Sequence, residues 1–276
     1  MKKSCFVLFS ILLFACNKKT DKTKITSKTS TEMNQLVEET DTIDISKEEK
    51  KLLNIYNDSS ASTENVRNDS LIALYSQKFS DSLSFLIKNN KSTLNYPFEK
   101  LQKENALKMA TSRDKKLRVY SWDTNLGGTM RFFNQIYQFN ANGNIVINES
   151  LATNDPQAFF SNIYEVQTIT NESIYLVISN SILSSKNVVQ HINAYKITSE
   201  NLKNVNVFKT KNRTLNQISV EYDFFSVVDR PERPVELITL ENKTLKIALV
   251  DNTLSVTNKN LIYEWNGEAF IYKGVN

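Results

Sequence analysis

The chain contains few of the residues on which many well-known functional sites depend. Among its 276 residues are 5 glycines, 4 prolines, 2 cysteines and 1 histidine. Scarce glycine argues against the glycine-rich loops that hold phosphate groups, and a single histidine excludes metal sites with several histidine ligands. No G-x-S-x-G, H-E-x-x-H or P-loop motif occurs. We therefore expect neither a bound metal nor a cofactor.

The composition is otherwise that of a globular protein. Hydrophobic residues make up 40% of the chain and charged residues 23%, which excludes a fully disordered protein. The 33 asparagines can occupy the left-handed turn positions that glycine usually fills. The length suits one large domain or two small ones.

The N-terminus has the features of a signal peptide over residues 1–15. Lys2 and Lys3 precede an apolar run over residues 5–15, about half the roughly 20 residues that a helix needs to cross a bilayer. The run ends in Leu13-Phe14-Ala15-Cys16, which resembles the lipobox of bacterial lipoproteins. The resemblance implies cleavage before Cys16 and acyl chains on that cysteine as the membrane anchor. An ordinary secretory signal that happens to adjoin a cysteine is the alternative.

Lipidation would leave the mature chain without a free thiol. Cys5 is lost with the signal peptide and Cys16 carries the lipid, so disulfides, thiol catalysis and cysteine-ligated zinc are excluded. Removal of residues 1–15 also leaves 32 of the 34 basic residues against 30 acidic ones. A mature net charge of about +2 argues against nucleic acid as a partner.

Residues 16–47 have the composition of a lipidated cysteine and a flexible tether. Thr, Ser, Lys and Glu dominate, with lysines nearest the lipid and acidic residues from Glu32 onward. In some Gram-negative lipoproteins, acidic residues directly after the lipidated cysteine resemble a surface-export signal. Asn17, Lys18 and Lys19 occupy those positions here. We therefore expect an outer-membrane anchor and a domain that faces the periplasm.

Residues 48–276 are predicted to form a single α+β domain, helical over 48–112 and β-rich over 113–276. In the helical part, apolar residues at a spacing of three and four predict a short helix over 47–57 and a longer one that ends at Asn89-Asn90. Pro97 suits the first turn of a third helix that continues to about Leu107.

From about Lys116 onward the hydrophobic period changes to two, which is typical of strands. Strand-like runs occupy residues 117–122, 129–140, 144–149, 158–169, 173–181, 188–197, 203–209, 215–228, 235–240, 244–250 and 260–273. With no helices between them, these runs predict a large, mainly antiparallel meander or sandwich behind an N-terminal layer of two or three helices.

Two hairpin turns are predicted by Asn142-Gly143 and Asn266-Gly267, both type I′ dipeptides. The second turn would fix three facing pairs: Trp265 with Glu268, Tyr263 with Phe270, and Leu261 with Tyr272. One face of that hairpin would then carry four aromatic residues: Tyr263, Trp265, Phe270 and Tyr272.

A candidate binding loop surrounds two adjacent glycines, Gly127 and Gly128. Such a pair indicates a backbone that turns with positive φ or is approached closely. We expect Trp122 to offer a stacking face there and Asp123 and Arg131 to offer hydrogen bonds. The alternative is a hairpin connection in which Asp123 bonds to its own turn. The segment also resembles a stretch in uncharacterised Gram-negative envelope lipoproteins, which implies no activity.

These observations favour a binding module over an enzyme. Its ligand would be a glycan, a peptide or a protein partner, in a groove lined by aromatic residues near Trp122 or near Tyr263 and Trp265. Buried tryptophans without a cleft would contradict this hypothesis.

Two alternatives remain open. A structural or assembly role in an envelope complex would need an exposed apolar patch around Phe79 or Leu86. A carboxylate-based hydrolase would need a pocket in which two carboxylates, or His191 and a hydroxyl, converge. The strand-like run over residues 188–197 places His191 in mid-strand, which favours a structural histidine. The sequence does not bring any two of the available carboxylates together: Asp123, Asp223, Asp229 and Glu232.

Overall fold

The computed structural model describes residues 43–64, 67–150 and 157–276. The predicted signal peptide, the lipobox ending at Cys16 and the tether as far as residue 42 lie outside these ranges. Within them, no helix is both long and apolar enough to span a membrane.

The described residues form helices first and strands afterwards. The helices are α1 (Ile45–Glu64), α2 (Asp69–Asn89) and α3 (Glu99–Lys103), with 3₁₀ helices at Lys91–Leu94 and Phe224–Val227. The strands are β1 (Lys108–Thr111), β2 (Leu117–Asp123), β3 (Phe133–Ala141), β4 (Asn144–Ser150), β5 (Phe159–Gln167), β6 (Ser173–Ile182), β7 (Asn187–Ile197), β8 (Leu202–Asn204), β9 (Phe208–Lys209), β10 (Thr214–Leu215), β11 (Gln217–Asp223), β12 (Ile238–Glu241), β13 (Thr244–Val250), β14 (Val256–Trp265) and β15 (Phe270–Val275).

The helices differ from the predicted ones mainly at their ends. Asn68 caps α2, because its side chain accepts a hydrogen bond from the backbone N–H of Leu71. The third helix is only five residues long, since Phe98 before it and Asn105 after it both have positive φ. Strand β1 then occupies part of the region predicted to be helical, so the predicted helical boundary at residue 112 is wrong.

The strands form three sheets, and the protein is mostly β. Sheet 1 has the order β1-β2-β3-β4, and sheet 2 has the order β11-β7-β6-β5 with β8 also paired to β7. Sheet 3 has the order β10-β9-β15-β14-β13-β12, in which β15 and β9 form a parallel pair. The other strand pairs in the described ranges are antiparallel.

Sheet 2 packs against both other sheets. On one side, Tyr175 and Val177 of β6 share a core with Val119 of sheet 1. On the other side, Leu176 of β6 shares a core with Phe270 of sheet 3. Successive side chains of a strand point to opposite faces, so eight consecutive residues of β6 are buried. The remaining face of sheet 1 packs on α2.

The two predicted hairpin turns have different outcomes. Asn142 and Gly143 both have positive φ, and the pair Ala141 and Asn144 closes a two-residue turn, as expected for type I′. The register of the second hairpin is wrong, because a four-residue loop joins the strands: Trp265 pairs with Phe270 and Tyr263 with Tyr272, each displaced by two residues. Beyond a bulge, Leu261 pairs with Val275, which is displaced by three. A shift of two preserves the faces, so the four aromatic residues do share one side.

Asn266 explains the longer loop. Its side-chain oxygen accepts hydrogen bonds from the backbone N–H groups of Glu268 and Ala269, at 2.9 and 2.8 Å. The carbonyl of Gly267 accepts a further bond from the backbone N–H of Ile169, at 3.0 Å. These hydrogen bonds of Asn266 and Gly267 stabilise the four-residue loop over a two-residue turn.

Candidate functional site

Trp122 occupies the core between α2 and sheet 1. Only 3% of its surface is exposed, its ring lies 5.9 Å from that of Phe79, and its Nε1 donates a hydrogen bond to Ser80 Oγ. The cavity beside it, of about 10 Å³, has room for roughly one water molecule. Trp122 therefore offers little ring surface for a ligand to stack on.

Asp123 and Arg131 form a pair that faces their own loop. Arg131 Nη1 lies 3.4 Å from Asp123 Oδ2, and the backbone N–H of Asn125 donates to Asp123 Oδ1 at 2.8 Å. Burial raises the pKa of the Asp123 carboxyl above its ordinary value, and Arg131 and the Asn125 N–H oppose that shift. This arrangement matches the alternative in which Asp123 bonds to its own turn.

The two glycines of this loop have different surroundings. A Cβ at Gly127 would lie 2.1 Å from the carbonyl oxygen of Met130, so close backbone approach explains this glycine. A Cβ at Gly128 would meet nothing within 4 Å, and neither glycine has the positive φ that their pairing suggested. Arg67 also holds the loop, donating to the carbonyls of Asn125 and Leu126.

Tyr263 and Trp265 lie in the core between sheets 2 and 3. Trp265 is 6% exposed, and its Nε1 donates to the carbonyl of Gln167 at 2.8 Å. The ring of Tyr263 lies 5.4 Å from that of Tyr272. Trp122 belongs to a different core, so the structure does not bring the two tryptophans together.

His191 is bracketed by hydroxyls on one face of sheet 2. Its Nδ1 lies 2.8 Å from Ser219 Oγ and its Nε2 lies 3.2 Å from Ser181 Oγ. Burial lowers the pKa of His191 below 6.5. The backbone of β7 is paired on both sides, with β6 and β11, so its N–H groups serve the sheet rather than an oxyanion. A histidine and hydroxyls do converge, and the Gln217 amide lies beside them, with its Nε2 3.2 Å from His191 Nδ1 and 3.0 Å from Ser219 Oγ. These contacts satisfy His191 within the face of the sheet.

Two of the carboxylates considered for hydrolysis, Asp223 and Asp123, are engaged separately. Asp223 accepts from the backbone N–H of Phe225 and pairs with Lys186, whereas the charge acting on Asp123 is that of Arg131. Across the described ranges, no group of three or more histidine, cysteine or acidic side chains is placed to hold a metal ion.

A polar cavity of about 630 Å³ lies where hairpin turns of sheets 1 and 2 meet. Its walls come from the β1–β2, β3–β4, β5–β6 and β7–β8 connections and the strand ends beside them. The lining residues are Lys116, Asn140, Asn142, Gly143, Asn171, Glu172, Ser173, Tyr175, Lys196, Ile197, Thr198 and Ser199.

Some of these side chains are already bonded within the protein. Tyr175 donates its hydroxyl proton to Asp114 Oδ2 at 2.8 Å, and burial together with that carboxylate raises its pKa. Lys196 Nζ lies 2.6 Å from Glu172 Oε1. Thr198 donates to the carbonyl of Asn201. These contacts hold the wall of the cavity in place.

Other side chains of the wall keep free hydrogen-bonding groups. Within the described parts of the chain, the side chains of Asn142, Asn171 and Ser199 make no hydrogen bond to protein. Asn142 and Asn171 have positive φ at hairpin tips, and all three residues are exposed. Three different turns thus present unused amide or hydroxyl groups to one space.

A second cavity, of about 270 Å³, follows along the same strands. Gln135, Tyr137, Asn148, Glu149, Ser150, Tyr195 and Leu202 line it. The hydroxyls of Tyr137 and Tyr195 lie 3.4 Å apart, and burial raises the pKa of both. We call the two cavities together the inter-sheet groove.

No known protein family, curated protein or solved structure matches this chain. The inter-sheet groove therefore has to be interpreted from its own chemistry. Sequence analysis missed it, although Asn142-Gly143 was recognised as a turn. In a run of consecutive hairpins every second turn lies at the same end of the sheet. This alternation could have predicted that the turns around the groove lie close together.

Proposed function

We propose that this protein is a lipid-anchored protein of the bacterial cell envelope that binds a ligand in the inter-sheet groove. The observation that carries the binding proposal is the convergence of four hairpin turns around about 630 Å³. Ligand sites in proteins usually occupy about 300–1,000 Å³ and place a few polar groups that fix orientation. The groove lies away from the tryptophans on which the binding loop was expected.

The envelope location rests on the sequence. The motif Leu13-Phe14-Ala15-Cys16 resembles a lipobox, and the residues as far as 47 have the composition of a tether. Asn17, Lys18 and Lys19 after the cysteine favour a periplasmic domain on the outer membrane. We propose further that the helical layer packs on a mainly antiparallel sandwich whose sheets carry the groove.

Binding fits the groove better than catalysis does. Among the described residues, each of the two cavities has one carboxylate in its lining, Glu172 and Glu149, and these are paired with Lys196 and Lys88. Glycoside hydrolysis uses two carboxyl groups on either side of the bond that is cleaved. His191 lines neither of the two cavities.

A substitution that fills the polar cavity tests this function. Ser199→Trp places an indole in the lining, whereas Glu200→Trp changes the next residue of the same turn, which does not line the cavity. The probes are a mixture of defined oligosaccharides and a mixture of extended hexapeptides, observed by saturation-transfer NMR with the lipid-free chain from residue 17. We expect one mixture to bind wild type and Glu200→Trp, and to bind Ser199→Trp at least about tenfold more weakly.

Two results would contradict the proposal. One is the absence of binding from both mixtures. The other is binding that Ser199→Trp retains unchanged, because the ligand would then lie outside the polar cavity. Matching circular dichroism spectra of the two tryptophan variants exclude misfolding as the cause of lost binding.

A structural or assembly role is the second candidate function. Phe79 and Leu86 are buried, but Leu71 and Leu74 on α2 are 40% and 47% exposed. Leu126 is also exposed, in the loop that Arg67 ties to the start of α2. Contiguous exposed apolar patches, rather than single exposed residues, are typical of protein contacts.

A further inference from the structure

The lining of the polar cavity is unusual for a small-molecule site. Seven of its twelve residues carry an amide or a hydroxyl, and Ile197 is its one aliphatic side chain. Ligand pockets are more often lined by apolar and aromatic side chains. An apolar ligand would gain little here, since it would strip water from Asn142, Asn171 and Ser199 without replacing their hydrogen bonds. A ligand rich in hydroxyls would replace them.

The charges of the cavity leave one cation unmatched. Glu172 and Lys196 neutralise each other at 2.6 Å. Among the described residues, Lys116 Nζ has no ion pair and no hydrogen bond. Asp114, two residues away, accepts hydrogen bonds from the backbone N–H of Lys116 and from the hydroxyls of Tyr175 and Ser112, but not from Lys116 Nζ. The twelve lining residues therefore carry a net charge of one positive unit, located at Lys116, while the Asp114 carboxylate that is bonded to Tyr175 lies outside the lining.

We infer that the polar cavity binds an acidic saccharide, with Lys116 at its anionic group and Asn142, Asn171 and Ser199 at its hydroxyls. This inference rests on the proposed binding function of the inter-sheet groove and names the ligand class. A charge-assisted hydrogen bond from an ammonium group is roughly twice as strong as a neutral one. Lys116 thereby discriminates between acidic and neutral sugars of the same shape.

Oligosaccharides with and without their charge test the inference. The probes are tetrasaccharides of galacturonate, mannuronate and hyaluronan, each compared with its fully methyl-esterified form, which keeps the hydroxyls and removes the negative charge. Isothermal titration of the lipid-free chain from residue 17 measures Kd. We expect at least one acid to bind about tenfold or more tightly than its ester, and the difference to shrink as salt is raised.

Two lysines of one turn provide the matched variants. Lys116→Gln removes the charge that lines the cavity and should weaken binding of the acid about tenfold, while binding of the ester stays unchanged. Lys115→Gln removes an exposed charge next to it that does not line the cavity, and should leave Kd within about twofold. Both positions are exposed, so both variants should fold, and their melting temperatures verify this.

The outcomes separate the inference from the function on which it depends. Equal binding of acids and esters, or equal effects of the two lysine variants, overturns the role of Lys116. Absence of binding by every saccharide overturns the ligand class. If hexapeptides then bind wild type but not Ser199→Trp, the groove function stands. If no probe distinguishes wild type from Ser199→Trp, both proposals fail.

Discussion

Gln190 on β7 joins sheets 2 and 3, and its replacement by methionine is the sharpest test of this packing. The side chain is 1% exposed and all its hydrogen-bonding groups are used. Its Nε2 donates to Asn180 Oδ1 and to the carbonyl of Val235, at 2.8 and 2.9 Å. Its Oε1 accepts from the backbone N–H groups of Leu237 and Ile238, both at 2.9 Å. Methionine has a similar length and shape but cannot form these bonds.

The expected loss of stability follows from the buried backbone groups that lose their hydrogen bond to Gln190. Three buried backbone groups lose their partner, and each unsatisfied group costs about 1–3 kcal/mol. The free energy of unfolding should therefore fall by at least about 3 kcal/mol, out of a total of about 5–15 kcal/mol. For a domain of this size, about 2–4 °C of melting temperature corresponds to each kcal/mol. We expect Gln190→Met to melt about 6–12 °C lower, or not to fold.

Thermal unfolding monitored by circular dichroism measures the loss, with Gln217→Met as the matched control. Gln217 lies on the neighbouring strand β11, is exposed, and contacts Ser219 and His191. Its substitution should change the stability by no more than about 0.5 kcal/mol. If Gln190→Met melts within about 3 °C of wild type, the hydrogen bonds of Gln190 do not hold sheets 2 and 3 together.

Two further predictions concern the anchor and the histidine. Cys16→Ser should abolish labelling by an alkyne fatty acid and leave an unprocessed precursor, whereas labelled and processed protein would contradict the lipobox. Burial lowers the pKa of His191, so the unfolded chain takes up a proton before the folded protein does as the pH falls. Urea unfolding at about pH 7.5 and 5.5 should therefore show a larger loss of stability in wild type than in His191→Gln. An equal loss in both would rule out this effect of burial.

Much of the β-rich region was predictable because alternation along a strand is a local property. The predicted strands of hairpin β3–β4 and the strands β6, β7 and β13 agree with the structure to within a few residues. The run over 203–209 is instead two strands, β8 and β9, in different sheets. Which strands join one sheet depends on contacts between distant residues, and the hydrophobic period does not record it.

The candidate site was less predictable for a related reason. A tryptophan beside two glycines suits a binding loop or a core equally well, and the contact of Trp122 with Ser80 on α2 decides between them. The side chain of Asn266 likewise changed a turn that its dipeptide predicted. The polar cavity combines turns far apart in the chain, such as Asn142 and Ser199, so no short motif marks it.

The position of the polar cavity at the hairpin turns has a consequence for how this protein evolves. The turns and the strand ends beside them carry the side chains that line the cavity, whereas the middle of the sheets carries the core. Exchanges at an exposed position such as Ser199 cost little stability, usually within about 0.5 kcal/mol, whereas the positive φ of Asn142 and Asn171 restricts which residues can replace them. Substitutions in β6 disturb the packing of two hydrophobic cores at once, and therefore cost more stability. Substitutions in the turns can therefore change which ligand is bound, while the sequence of the packed sheets stays almost unchanged.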